Sequence, residues 1–339
     1  MMGATNKQRK VFYRMSTFLF FAYGLAINNV LAQDIHFSQF YTSPMLLNPG
    51  ATGTFDGSAR AGINYRNQWT TLGSNYQTYT ATYEMTLMKK KSGGNFMGVG
   101  INMFSDKAGT GALTRTCFNL SGAYHLQVND ENNIALGLQG GYGQRAIDQA
   151  QLTWDSQYDG SQYNAALPSN ETFSDKVSYI DVSAGFLWSY TISNTADVNA
   201  GIGAFHLSQP SQTLIASSDD ILPMKIAAHG QGRFTKRNSD LAYYPNFMIS
   251  LQGPNKEING GLLMRYMLKE SSKYTGFVKG NAVYFGANYR LGDAAIILLG
   301  LEISDFNLGL SYDLNISNFN KATAGVGGFE ISMIYIKSD

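Results

Sequence analysis

The stretch Thr78-Tyr79-Thr80-Ala81-Thr82-Tyr83-Glu84-Met85-Thr86-Leu87 alternates polar and apolar side chains at every step. Successive side chains of a β-strand point to opposite faces of the sheet, so a period of two predicts a strand with one polar and one apolar face. The run has about the ~10 residues that a tilted strand needs to cross a membrane. This stretch therefore favours a sheet whose two faces meet different surroundings.

The same alternation recurs from Gly57 almost to the C-terminus. Clear runs lie at 59–66, 97–103, 118–127, 134–145, 182–190, 198–204, 262–268, 283–289, 307–314 and 328–335, and weaker ones at 226–234 and 243–251. Together they predict about fourteen strands, an even number of the kind that bacterial outer-membrane barrels use.

Alternation alone does not separate a membrane barrel from a soluble sandwich, because both have one apolar face. Here the polar face carries mostly Gly, Ser, Asn and Thr, and charged residues make up only 14% of the chain. Soluble domains usually reach about 25%. Aromatic residues recur where strands end, as in an interfacial girdle: Trp69, Tyr76, Tyr142, Trp188, Tyr190 and Tyr266.

Closure follows from the membrane, since every backbone donor and acceptor in lipid has to be satisfied within the protein. The sequence therefore predicts an all-β fold, a transmembrane antiparallel β-barrel over residues 58–336. Two long polar stretches, 148–176 and 208–223, interrupt the alternation. With both chain termini periplasmic, both stretches fall on the outer side, where long loops are expected. The connection 270–277 is longer than a periplasmic turn should be.

The first 32 residues read as a targeting signal. Basic residues come first, an apolar run follows at 18–27, and small residues precede Ala32. This order is typical of a secretory signal peptide, because the apolar run is shorter than the ~20 residues of a spanning helix. We therefore expect export to the outer membrane of a Gram-negative bacterium. The single cysteine, Cys117, makes an internal disulfide impossible, and its position argues against a lipid anchor.

Residues 33–57 break the alternation. Pro44 and Pro49 lack backbone donors and disfavour a regular helix or a central strand. The segment is also aromatic and apolar, so we do not expect it to be freely solvated. We predict an irregular N-terminal periplasmic segment, either an arm that closes the base of the barrel or a plug or docking surface for periplasmic partners. The candidate residues for plugging or partner binding are Phe37, Phe40, Tyr41, Pro44, Asn48 and Pro49.

The sequence offers little for chemistry. Its histidines are His36, His125, His206 and His229, and it contains neither a Gly-x-Ser-x-Gly elbow nor a His-Glu-x-x-His motif. His125 is predicted to face the barrel interior and to form a hydrogen bond there. Asp155-x-x-x-Asp159-Gly160 lacks the spacing and the closing Glu of a calcium loop, so we interpret it as a solvated acidic loop. We expect a non-enzymatic protein without cofactor or metal.

Three parts of the chain resemble one family. They are Gln33-Asp34-Ile35-His36-Phe37-Ser38-Gln39-Phe40-Tyr41 with Ser43-Pro44, Asn48-Pro49 and Tyr65-Arg66-Asn67-Gln68-Trp69; Phe205-His206-Leu207-Ser208-Gln209-Pro210; and the end of the chain, from Gly286-Ala287-Asn288-Tyr289-Arg290 through Ser311-Tyr312-Asp313 to Gly328-Phe329-Glu330-Ile331-Ser332. These stretches resemble PorP/SprF-family proteins, outer-membrane components of the type IX secretion and gliding machinery of Bacteroidetes-type bacteria. The resemblance covers nearly the whole mature chain.

The resemblance implies a role in the export or surface attachment of large surface proteins such as adhesins, through their C-terminal domain. It also implies contact with other type IX secretion components in the periplasm and outer membrane, and a link to gliding motility. The alternative is a passive porin or small-solute channel, which predicts a wide lumen ringed by charges. The net charge of +1 gives no electrostatic reason to expect a nucleic-acid partner.

Overall fold

The structure is a computed structural model that describes residues 34–69, 76–89, 93–109, 113–149, 152–170, 174–215, 219–269, 280–317, 320–323 and 325–338. Within them lie fourteen strands: β1 (Ala59–Gln68), β2 (Tyr76–Leu87), β3 (Phe96–Ala108), β4 (Leu113–Gln127), β5 (Asn132–Ala146), β6 (Lys176–Ser193), β7 (Ala196–Phe205), β8 (Lys225–Thr235), β9 (Leu241–Gln252), β10 (Asn255–Lys269), β11 (Asn281–Arg290), β12 (Ala294–Ile303), β13 (Phe306–Asn315) and β14 (Val326–Lys337). The expected signal peptide and the connection 270–277 lie outside the described residues.

The fourteen strands form one closed antiparallel barrel. Each strand pairs with its neighbours in sequence, and β1 closes the sheet against β14, from Ala59 opposite Lys337 to Gln68 opposite Gly328. Closure leaves no edge strand with a row of unpaired backbone groups. The predicted fold and the strand number are therefore confirmed.

The two ends of the barrel differ in their connections. Ala59 and Lys337 pair at what we call the terminal end. The long connections 147–175 and 206–224 both lie at the opposite end, which we call the loop end. Outer-membrane barrels have short periplasmic turns and long outer loops, so we expect the loop end to face the outside of the cell.

The two faces of the wall differ as the alternation predicts. Leu136, Leu138 and Ile180 are 67%, 68% and 73% exposed on the outer face, where lipid tails would cover them. The inward positions are mostly polar and buried, for example Asn102 and Gln139. Within the part of the chain that the structure describes, no helix is both long and apolar enough to cross a membrane.

One strand, β12, does not follow the alternation. Its inward residues Ile296 and Leu298 are each only 1% exposed and pack with Leu263 and the half-buried Tyr41. Since its outward residues are apolar too, the strand reads as a continuous apolar run rather than as an alternating one. The lumen therefore has an apolar patch on this side.

Candidate functional site: a segment inside the barrel

Residues Asp34–Gly57, which we call the lumenal segment, lie inside the barrel. The segment begins near the loop end, where the backbone N–H of Asp34 donates to Gln252 Oε1 at 2.7 Å. It leaves at the terminal end, where Gly57 approaches Lys337 so closely that a Cβ atom would lie 2.5 Å from the Lys337 carbonyl oxygen. The sequence predicts an irregular periplasmic segment that is an arm or a plug. The structure places residues 34–57 within the lumen, as a plug would lie, from near the loop end to the terminal end.

The proline positions explain the local backbone. The segment contains three short 3₁₀ turns, Phe40–Thr42, Pro44–Leu46 and Pro49–Ala51. Proline is tolerated at the first position of a turn because the N–H there would lack a partner within the turn anyway. The Asn48 side chain caps the third turn by accepting from Gly50 N at 2.8 Å. The irregular conformation predicted for this stretch is therefore what its prolines impose.

The candidate residues differ in how deeply they lie. Phe37 and Phe40 are 5% and 6% exposed, and Asn48 and Pro49 belong to the fully buried group. Tyr41 and Pro44 are half-buried. Nothing in the structure tests whether these residues bind a partner, so that role stays a prediction.

One side of the lumen wall is built to receive the segment. Six consecutive strands, β3 to β8, each place a residue with at most a methyl side chain directly opposite such a residue on a neighbouring strand. Strand pairing joins them into one transverse line, which we call the small-residue row: Gly98, Ala123, Gly137, Gly185, Gly203 and Ala227. Larger side chains at the positions of this row would occupy the space in which the lumenal segment lies.

The segment packs directly on the backbone of this row. A Cβ atom on Gly203 would lie 2.5 Å from the Leu47 carbonyl oxygen, and one on Gly185 would lie 2.7 Å from Gly50 N. Asn48 is held across the same wall, since its Nδ2 donates to the Phe186 carbonyl oxygen at 2.9 Å. These contacts fix the segment by shape, because only glycine allows so close an approach.

The other side of the lumen holds the segment by charge. Here Arg66, Glu257, Arg290, Asp313 and Glu330, which we call the ionic cluster, are each no more than 6% exposed. Arg66 lies 3.2 Å from Asp313 and 3.1 Å from Glu330, while Arg290 lies 3.1 Å from Asp313 and 3.2 Å from Glu257. Each buried charge therefore faces an opposite one.

The ionic cluster binds backbone groups of the segment. Glu330 accepts from the backbone N–H groups of Ser38 and Gln39 at 2.6 and 3.0 Å. The Ser38 hydroxyl donates to Asp313 at 2.6 Å, and Arg66 donates to the His36 carbonyl oxygen at 2.5 Å. Hydrogen bonds to ionised groups are stronger than neutral ones, so the cluster satisfies backbone groups that would otherwise be buried without partners.

A third set of contacts holds the start of the segment near the loop end. We call Asp34, Arg115, Asp181, His206 and Lys225 the mouth cluster. Asp34 is paired with Arg115, lies 2.6 Å from His206 Nε2 and 3.8 Å from Lys225 Nζ, and His206 Nδ1 lies 2.7 Å from Asp181. Burial alone would raise the pKa of Asp34, but its three cationic neighbours hold it well below 3.8. Burial would lower the pKa of His206, but Asp34 and Asp181 raise it above 6.5.

Two further histidines also serve the segment. His125 Nε2 lies 2.7 Å from the Thr52 carbonyl oxygen, and His229 Nε2 lies 3.0 Å from Asn48 Nδ2. Both are therefore hydrogen-bond partners of the segment, as predicted for His125. Among the described residues, no group of three His, Cys, Asp or Glu side chains is placed to hold a metal ion.

The acidic loop around Asp159 uses its carboxylate for hydrogen bonds within the loop. Asp159 accepts from Ser161 N and from Gln162 N at 2.9 and 2.8 Å, and these backbone hydrogen bonds lower its pKa. Its carboxylate is used to shape its own turn.

The candidate residues predicted from the sequence are aromatic residues, prolines and Asn48, and they do not include Asp34, Ser38 or Gln39. These three make charged contacts of the segment, and they lie in residues 33–41, the first stretch that resembles a family. A signal was present, because polar residues in a segment expected to be buried each need a hydrogen-bond partner inside the protein.

Comparison with known proteins agrees with the fold and indicates a family. The barrel is similar to the Pseudomonas putida toluene transporter TodX, with a TM-score of 0.50 and 7% identity over 90% of this chain and 94% of that chain. A TodX deltaS2S3 mutant, a monoaromatic hydrocarbon channel, gives 0.52 and 7% over 87% and 94%. At such identity the likeness concerns the fold alone. Among proteins with curated descriptions, none matches this sequence. A family model described as "Type IX secretion system membrane protein PorP/SprF" matches residues 29–335.

Proposed function

Because the chain belongs to the PorP/SprF family of type IX secretion system membrane proteins, we propose that it is a non-enzymatic outer-membrane component that assists the export or surface attachment of large surface proteins. The single observation that carries this proposal is the family match over nearly the whole chain. The partners would be the C-terminal domain of a surface protein such as an adhesin, and other secretion components in the periplasm and outer membrane. Where the client is an adhesin of gliding cells, motility would depend on it.

The filled lumen favours an anchor over a conduit. The lumenal segment is held by the small-residue row on one wall and by the ionic cluster on the other, and Asn48 and Ser38 are each 0% exposed between these walls. A polypeptide could share this interior only by displacing the segment. We infer that the client crosses the membrane through another component and that this barrel holds or escorts it.

The occupied interior also weighs against the porin alternative. A porin needs a continuous aqueous path, whereas here the lumenal segment bonds to both sides of the lumen and Ser38 and Asn48 are fully buried between them. We expect no large open-state current from the purified protein in a planar bilayer. Stable currents of the size of a general porin would favour the channel function instead.

Deletion of the gene in its own host tests the secretion role. We expect a specific set of large proteins to disappear from the surface, measured by protease shaving of whole cells and mass spectrometry, and to return on complementation. An unrelated outer-membrane barrel should stay at its normal level, which controls for general membrane damage. An unchanged surface set, together with an affinity purification that recovers no secretion component, would refute the proposal.

A further inference from the structure

The mouth cluster is built as a receptor for a carboxylate. We propose that it is an exchangeable carboxylate-binding site, occupied by Asp34 when the lumenal segment is in place and open to an acidic group of a partner polypeptide when the start of the segment leaves. Binding of such a group and seating of Asp34 would then exclude each other. The site is separate from the predicted partner-binding residues of the segment.

The groups that bind Asp34 come from the wall and do not depend on the segment. Arg115 lies on β4 and Lys225 on β8, while His206 directly follows β7. Asp181 on β6 holds His206 in place at 2.7 Å. An ionised carboxylate only accepts hydrogen bonds, so an imidazole between two carboxylates donates from both nitrogens and carries a positive charge. The barrel therefore presents three cations to a single carboxylate.

The charge balance requires an anion at this place. Without Asp34, the three cations would face Asp181 and, opposite Arg115 in the strand register, Asp106. A buried cation that loses its partner is costly, because burial has removed the water that would otherwise solvate it. The wall therefore retains affinity for a carboxylate whenever the start of the segment is absent.

Space and access also fit. A cavity of about 30 Å³ adjoins the cluster and is lined by all five of its members. A partner carboxylate would take the place of Asp34, because Arg115, His206 and Lys225 converge on that position. The side chains of Arg115, Asp181 and Lys225 keep 15%, 12% and 12% exposure, so the cluster remains in contact with solvent near the loop end.

The surrounding loops select against small free anions. The connections 147–175 and 206–224 contain seven Asp and Glu residues and neither Lys nor Arg. The negative electrostatic potential of these loops repels diffusing anions. At physiological salt this repulsion is screened beyond a Debye length of ~8 Å from the loops. A carboxylate on a polypeptide already bound at the loop end would overcome it through its high effective concentration.

The only cysteine of the chain provides a reporter. Cys117 is 6% exposed, lines the same cavity as Asp34 and packs with Phe104, Tyr179 and Leu222. The rate at which a polar maleimide labels Cys117 in the folded barrel therefore measures how often the start of the segment leaves. Heat-modifiable gel migration confirms that each variant is folded before labelling.

The test compares the wild type with Asp34→Ala, Asp34→Glu and, as a matched control, Asp219→Ala in an exposed outer loop. We expect Asp34→Ala to be labelled about tenfold faster or more, since charged hydrogen bonds are lost. Asp34→Glu and Asp219→Ala should stay near the wild-type rate. At an ionic strength of about 1 M the Debye length falls to ~3 Å and the loops no longer repel small anions. Under that condition sodium acetate should slow labelling of Asp34→Ala, whereas sodium chloride at the same ionic strength should not.

Two results would overturn the proposal. One is an Asp34→Ala variant that is labelled at the wild-type rate. The other is faster labelling that acetate slows no more than chloride does, which would leave Asp34 a structural contact without a carboxylate site. If Asp34→Ala does not fold, Asp34→Asn keeps nearly the same shape without the charge and is judged by the same two measurements.

Discussion

Apart from the mouth cluster near the loop end, the two sides of the lumen hold one segment by opposite means. On β3 to β8 the small-residue row carries no side chain larger than a methyl group. The backbone near Asn48 therefore lies directly on Gly137 and Gly185. On β1, β10, β11, β13 and β14 the wall carries long charged side chains that reach the backbone near Ser38. One side makes room for the segment with small residues, and the other binds it through charged hydrogen bonds.

The difference shows which property each side contributes. Close packing on glycine is specific for shape, and it fails when any atom is added. A buried ionic cluster tolerates small shifts, but each of its charges depends on the others. Removing one leaves a neighbouring charge buried without a partner. We therefore expect the segment to be sensitive to insertion on one side and to neutralisation on the other.

Neutralisation should give the largest effect. Arg66→Met removes a side chain that is 1% exposed and leaves Glu330 without a cationic partner, while Asp313 keeps Arg290. Breaking a buried pair costs about 3–5 kcal/mol, so we expect a loss of that order in the free energy of unfolding, measured by denaturant titration in lipid vesicles. Arg233→Met is the control, because the Arg233–Asp197 pair is 40% and 36% exposed and such pairs contribute about 0–1 kcal/mol. Equal losses in the two variants would show that the cluster does not depend on its charges.

Insertion on the opposite side should cost less. In Gly137→Val the new side chain would overlap the Pro49 carbonyl group and Gly50 N, which are backbone atoms that cannot turn away. Overpacking costs about 1–3 kcal/mol in a well-packed core, and here it should also speed labelling of Cys117 by lifting the segment. Gly140→Val, three residues along on β5, is the control, because nothing lies within 4 Å of a Cβ atom there. If both valines behave alike, the row is not a seat for the segment.

The same contrast explains what could be predicted from sequence. The barrel and its strand number follow from alternation, because the lipid face and the lumen impose a period of two on almost every strand. β12 shows no such alternation, because its lumenal side chains Ile296 and Leu298 are apolar as well. Periodicity therefore predicts the wall, and it fails at β12, where both faces meet apolar surroundings.

The interior was harder to foresee. Glycines of the small-residue row are spread from Gly98 to Gly203, and only strand register brings them side by side. Likewise, Asp34 meets Arg115, His206 and Lys225 across 81 to 191 positions of sequence. No local pattern encodes such distances, so sequence reasoning identified the segment as a packed element but not the groups that hold it or the end at which it begins.

The pH dependence of the mouth cluster gives the smallest and most specific effect. His206 faces Asp34, Asp181, Arg115 and Lys225, and its pKa in the folded protein lies above 6.5. Its contribution to stability is therefore complete below pH 6.5 and is lost as the pH rises through the higher folded value. Asp34 behaves oppositely, because its lowered pKa gives stability above pH 3.8 that is lost as the pH falls. We expect the melting temperature, followed by tryptophan fluorescence, to fall as the pH rises above 6.5, and to fall less in His206→Gln. The drop should stay small, because Arg115 and Lys225 still hold Asp34 when His206 is neutral. An identical pH profile in the variant would show that the charge on His206 does not stabilise the mouth cluster with Asp34 in place.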